Sequence, residues 1–364
     1  MDSLELHRFH ETRSGRFGEV RGHEVVSNYG AGEKEYAALT QTAAVLDLSF
    51  RGRLCLVGPD RQPFLHGQVT NGVKDLKPGE GCYAALVTAK GKLVSDLNVM
   101  CLPDELLLDM EPGCARPVLE RLEKYIIADD VQVVDVGAQF GLLSVQGPKA
   151  PEVVMSASLA ISDLPTSGRS NHGDDPSFGE LYCVNRPRGE TTGFDFVVSN
   201  ATAQALAERL LSAAEKLGGG LAGWDALELV RIESGLPRFG QDMDENNLAP
   251  EAGIEARAIS YSKGCYIGQE VIARIRTYGQ VSKALRGLSF IDEMPSPPAK
   301  GSRVLHQEKE VGYITSAIRS PRLQRTIALG YVRKECNEIG TELAVESRGA
   351  RSLAKIVALP FVAK

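Results

Sequence analysis

Apolar residues over 33–46 recur at three- and four-residue steps, at Tyr36, Leu39, Ala43 and Leu46, a spacing that predicts an amphipathic helix. Residues 53–57 read as a strand broken by Gly58-Pro59-Asp60, and residues 62–76 as a helix or surface loop before the Pro78-Gly79 turn. Residues 81–88 and 93–101 form two strand patterns joined through Ala89-Lys90-Gly91-Lys92, where glycine permits a sharp turn, so a hairpin is predicted. A strand at 106–110, a helix carrying Val118, Leu122 and Tyr125, and strands at 131–136 and 140–145 follow, the last stopped by Gln146-Gly147-Pro148. A helix is predicted at 149–156, with proline in its first turn. Residues 162–177, rich in Ser, Gly, Pro, Asn and Asp, read as an irregular surface loop. Strands at 179–185 and 194–198 frame a loop with Arg186, Arg188 and Glu190, and Asn200 is placed to cap a long helix ended by Gly218-Gly219-Gly220. A helix over 224–233 leads into a glycine- and acid-rich stretch at 235–253. From Leu285 onward short strands and turns predict a small all-β C-terminal domain.

Length and composition narrow the class. At 364 residues the chain is long for one core, and 43% hydrophobic with 24% charged residues is ordinary globular composition. No segment approaches the roughly 20 apolar residues of a membrane helix. Residues 1–21 have no apolar block of a secretory signal, so the cytoplasm is the expected compartment. Seven cysteines with no CxxC pair argue against a disulfide framework and a cysteine zinc site, and six scattered histidines with no HExxH spacing give no expected metal. A formal charge of −6 without a basic run disfavours a dedicated duplex-binding protein.

Candidate chemistry concentrates in a few places. Lys263-Gly264-Cys265-Tyr266-Ile267-Gly268-Gln269-Glu270 sets a cysteine between a cation and a helix predicted over 266–276, a setting that favours thiolate; the competing reading is a cysteine packed at a tight turn. Lys263, Arg274, Arg276, Lys283 and Arg286 face one acid, Glu270, in this span, either as an anion-binding patch or as a solvated helix face. Glu190 and Asp195 flank Gly193, where a carboxylate suits two parallel hydrogen bonds from a pterin's N–H and amine groups, or is simply an acid on a surface loop. Asp96 lies in an otherwise apolar strand, either paired and functional or pointing outward. Residues 235–250, with Arg238, Asp242, Asp244 and Glu245, read either as a rigid functional loop or as a solvated connector.

Taken in order, these motifs resemble glycine cleavage T proteins almost end to end. The resemblance is carried by Ala44-Val45-Leu46-Asp47-Leu48-Ser49, Gln68-Val69-Thr70-Asn71, Leu143-Ser144-Val145-Gln146-Gly147-Pro148-Lys149-Ala150, the loop at 235–253, and the strands at 310–316 and 329–332. Within that superfamily, the cysteine of the Lys263–Glu270 segment, Lys90-Gly91-Lys92 and His66-Gly67-Gln68-Val69-Thr70 are similar to the YgfZ-type folate-binding branch. Ser95 stands where T proteins carry the first of two paired aspartates, which weakens aminomethyl transfer as a reading.

The resemblance implies an α+β fold, a three-lobed ring of two folate-binding lobes with antiparallel sheets (1–284) and a C-terminal β-barrel (285–364). It implies tetrahydrofolate, or a derivative, as cofactor, with Glu190 on the pterin and Arg188, Asn71, Thr70, Tyr266 and Arg238 as further binding residues. Cys265, Lys263 and Asp96 are its candidate catalytic residues. Its YgfZ-type form implies an accessory factor for assembly or repair of iron–sulfur client proteins, with an indirect link to tRNA modification. The rival classes are an aminomethyltransferase of the glycine cleavage system and a noncatalytic tRNA or protein adaptor.

Overall fold

The computed structural model describes residues 2–161, 163–279, 281–292 and 294–362; Met1 and Ser162, read above, lie outside them. By internal contacts the chain divides into two compact units, Met1–Ala84 with Leu97–Val230, and Ala85–Asp96 with Arg231–Lys364.

The first unit holds a six-stranded sheet in the order Ser170–Asp175, Gly179–Asn185, Gly193–Ser199, Phe140–Gln146, Ala44–Asp47, Gly220–Leu221. All pairings are antiparallel except that of Gly220–Leu221 with Ala44–Asp47. Alternation along these strands serves both faces. Leu143, Val145, Phe194, Phe196 and Val198 pack under the helix Asn200–Lys216, which buries Leu206, Leu210 and Ala214. Leu46, Leu142 and Val197 instead meet Cys55, Met100 and Leu107 of a five-stranded sheet. That sheet runs Gly81–Val87, Leu93–Cys101, Glu105–Met110, Gly52–Val57, Gln132–Asp135, and contains the predicted hairpin.

Three local expectations are corrected. The predicted helix over 33–46 is a helix at Gly32–Gln41 followed by the strand Ala44–Asp47. All four strand residues are buried, and a strand covered on both faces is continuously apolar, which periodicity cannot separate from a helix. The loop expected at 162–177 contains the edge strand Ser170–Asp175, whose polar residues suit a sheet margin. Ser199, not Asn200, caps the long helix, its Oγ accepting from the Ala201 amide at 3.4 Å.

In the second unit six antiparallel strands close a barrel, Lys283–Phe290 pairing with both Arg325–Arg333 and Ala350–Val357. Leu288, Val304, Ile314, Val332, Val345 and Ile356 fill its interior.

Candidate functional site

In the first unit the layer between the sheets ends in a buried polar network. Asp109 accepts from Arg51 Nε at 2.7 Å, Arg186 Nη1 at 2.9 Å and Asn98 Nδ2 at 3.1 Å. Arg51 also donates to Glu111 at 2.6 Å. Burial opposes charge on Asp109, but Arg51, Arg188 and Arg186 outweigh it and hold the carboxyl well below the usual range. Asp195 accepts from Ser144 Oγ at 2.7 Å and from Arg188 Nη2 at 2.5 Å, while Gln146 Oε1 accepts from the Arg188 amide at 2.9 Å. Arg51 and Asp109 were not singled out from sequence, and Arg186 was read only as a loop residue. An acid inside Leu106-Leu107-Leu108-Asp109-Met110 was the available signal, since a buried carboxylate is costly unless paired.

This network separates the two carboxylates flanking Gly193. Asp195 is 2% exposed and engaged by Ser144 and Arg188. Glu190 is half-buried on the connecting loop and makes no hydrogen bond or ion pair among the described residues. Of the two, Glu190 is therefore the carboxylate whose oxygens are uncommitted among the described residues. Arg188, expected to bind cofactor, spends its Nε and Nη2 on Asp195 and braces the loop that carries Glu190.

Thr70 and Asn71 follow the helix Arg61–Gln68 in the same unit. Thr70 is fully buried; Asn71 is half-buried, donates from Nδ2 to the Tyr83 carbonyl at 2.9 Å and accepts from the Gly72 amide at 2.8 Å.

Cys265, Lys263, Tyr266, Asp96 and Arg238 all fall in the second unit. Three motifs distant in sequence meet there. Lys92 Nζ donates to the Asn246 carbonyl at 2.7 Å and the Leu93 amide to the Asn247 carbonyl at 3.0 Å, joining the hairpin tip to the 235–250 loop. A Cβ on Gly91 would stand 3.2 Å from the Val271 side chain, and one on Gly268 only 2.4 Å from the Thr88 carbonyl. Gly268 also has φ of +86°, so close approach and left-handed backbone both require glycine there.

The helix after Cys265 spans Gln269–Tyr278, starting three residues beyond the predicted position because left-handed Gly268 precedes it. Cys265 thus lies outside its first turn. The residue is exposed, whereas Cys55, Cys101, Cys114 and Cys183 are buried. Burial raises the Cys55, Cys101 and Cys183 thiols. The Lys263 ammonium stands 4.8 Å from the centroid of the Tyr266 ring, and burial pushes the Tyr266 phenol up to about 12. Along Leu93–Cys101, Ser95 is buried and Asp96 lies on the half-exposed face.

Asp242 anchors the 235–250 loop rather than lining a site. Its Oδ2 accepts from Arg231 Nη1 at 2.7 Å and the Arg238 amide at 3.2 Å, and its Oδ1 from Thr315 Oγ1 at 2.6 Å and Ser316 Oγ at 2.7 Å. The expected basic patch is dispersed. Arg274 pairs with Glu270, Arg276 stacks on Tyr261, Lys283 donates to Tyr313 and Arg286 to the Asn337 carbonyl, so the cations serve separate local contacts. Among the described residues no group of three or more His, Cys, Asp or Glu is placed to hold a metal, and no helix is long and apolar enough to cross a membrane.

Residues 6–263 match the GCVT N-terminal domain and residues 283–363 the glycine cleavage T-protein C-terminal barrel domain. The chain belongs to the glycine cleavage T-protein family. Tetrahydrofolate comes with membership of this T-protein family as its cofactor. An aminomethyltransferase from Shouchella clausii is 28% identical over 98% of this chain and 96% of its own length. Another, from Bacillus licheniformis, is 29% identical over 95% of this chain and 94% of its own. The crystal structure of the glycine cleavage system aminomethyltransferase T from Bartonella henselae superposes with a TM-score of 0.90 at 24% identity, covering 99% of this chain and 98% of that one, which shows the T-protein fold.

Proposed function

We propose that this protein binds tetrahydrofolate and transfers an aminomethyl-derived one-carbon unit onto it. The observation that carries the reading is the near end-to-end similarity of this chain to proteins named aminomethyltransferase. The residues fit a folate: Glu190 offers an uncommitted, half-buried carboxylate to a pterin's N–H and amine groups, and Asn71 stands on a braced loop of the same unit. Asp96, on the half-exposed face of its strand, is the general base or orienting acid in this reading. Purified protein given aminomethyl-dihydrolipoate and tetrahydrofolate is expected to release ammonia and form methylenetetrahydrofolate. Asp96→Asn should lower kcat by about 100-fold, the usual scale for one acid–base group. Wild-type protein forming no methylenetetrahydrofolate sinks the proposal.

The exposed Cys265 favours a second reading, a folate-dependent accessory role for iron–sulfur client enzymes, including those modifying tRNA. Cys265→Ala is then expected to abolish recovery of cluster-enzyme activity in a deletion strain while leaving methylenetetrahydrofolate formation in the purified assay unchanged. Full recovery by that variant removes this second role.

A further inference from the structure

The turn that presents Thr70 and Asn71 has few regular backbone pairings of its own, and side chains from the preceding helix supply several. Gln62 and His66, four residues apart on Arg61–Gln68, lie on one helix face. Gln62 Nε2 donates to the Leu76 carbonyl at 2.7 Å and the Val73 carbonyl at 3.3 Å. His66 Nδ1 accepts from the amides of Val73 and Lys74, each at 3.2 Å. One residue gives two hydrogens and the other receives two, so the pair reads the turn's carbonyls and amides separately. From the adjoining strand the Tyr83 carbonyl accepts from Asn71 Nδ2, and Cys82 Sγ donates to the Gly72 carbonyl at 3.6 Å. Val69 and Val73 are fully buried beneath.

We infer that Gln62 and His66 are positioning residues for folate binding: they hold residues 73–76, the turn that follows Asn71, and so fix where Asn71 stands. The inference rests on the proposed placement of Asn71 in the folate site. Because His66 accepts two amide hydrogens through a single nitrogen, an acceptor at that position is what the turn requires, and shape alone does not replace it.

Asparagine carries its Oδ1 close to where histidine carries Nδ1, glutamine carries its oxygen further out, and leucine has no acceptor. His66→Leu is expected to weaken tetrahydrofolate binding about tenfold in calorimetric titration, the scale of losing one or two modest hydrogen bonds. His66→Asn should bind within about threefold of wild type, because it keeps an acceptor near the two amides. His66→Gln should resemble His66→Leu. Hydrogen exchange at the Val73 and Lys74 amides should quicken in His66→Leu and not in His66→Asn, a local signature that general destabilisation does not produce. Should His66→Leu fail to fold, Gln62→Leu, which frees the two carbonyls, is expected to show the same loss of affinity. Asn71→Ala separates the two layers of argument. If it leaves affinity unchanged, the loop is not part of the folate site, and the placement of Asn71 there falls together with the positioning role. If it weakens binding while His66→Leu and Gln62→Leu do not, the positioning role alone is overturned.

Discussion

Glu190→Ala is expected to weaken tetrahydrofolate binding by about 100-fold, read by calorimetric titration against wild type. A carboxylate accepting two parallel hydrogen bonds from a pterin loses both on truncation, and two charge-assisted bonds together are worth about 3 kcal/mol or more. Glu190 is suited to this because it is half-buried and uncommitted among the described residues, whereas Asp195, five residues on, is enclosed by Ser144 and Arg188. Glu190→Gln should bind nearly as weakly as alanine, since its amide would set a donor against a donor. Neither change should move the melting temperature by much. An affinity within about twofold of wild type for Glu190→Ala, far below the effect of losing a paired hydrogen bond, sinks the assignment.

Asp109→Ala is expected to destabilise the first unit by about 3–5 kcal/mol, the range seen when one partner of a buried ion pair is removed. The loss arises less from missing attraction than from what remains, because Arg51 and Arg186 would keep buried guanidinium charges with one acceptor fewer. Differential scanning calorimetry should show the corresponding transition lowered by roughly 10 °C for a unit of this size. The same network predicts an acid limb in the stability curve. Asp109 has a folded-state pKa depressed below its unfolded value, so its contribution is complete above about pH 4 and is lost as the pH falls from there toward the folded value. The Asp109→Ala variant should lose less stability than wild type between about pH 4 and pH 2, where the unfolded-state carboxylate titrates. Parallel curves for the two proteins, or an Asp109→Ala transition at the wild-type temperature, would show that the network contributes little.

Much of this was legible in the sequence because local patterns and tertiary structure agree. The hairpin at Ala89-Lys90-Gly91-Lys92, the helix Trp224–Glu233 and the barrel strands each show their own period and turn chemistry. Where the expectation failed, a residue's environment came from elsewhere. Ala44–Asp47 is apolar throughout because cores lie on both of its faces, and no window of sequence displays that. The strand Ser170–Asp175 has no apolar pattern because it is paired on one side only. Cys265 and Glu190 stood out in the sequence as uncommon residues, whereas the arginine–aspartate network was illegible there. Arg51, Asp109 and Arg186 lie far apart in the chain, and pairing between them is a property of the folded sheets alone.

The four hydrogen bonds on Asp242 have a practical corollary for anyone dissecting the chain. Two of them reach Thr315 and Ser316, and Ile232 packs beside Leu329 and Tyr331, so the strands from residue 283 onward lean on Ile232 and Asp242, which precede them in the chain. A fragment cut just before those strands would leave a polar pair and an apolar patch uncovered. The barrel shares its compact unit with residues 85–96 and with the chain from Arg231 onward.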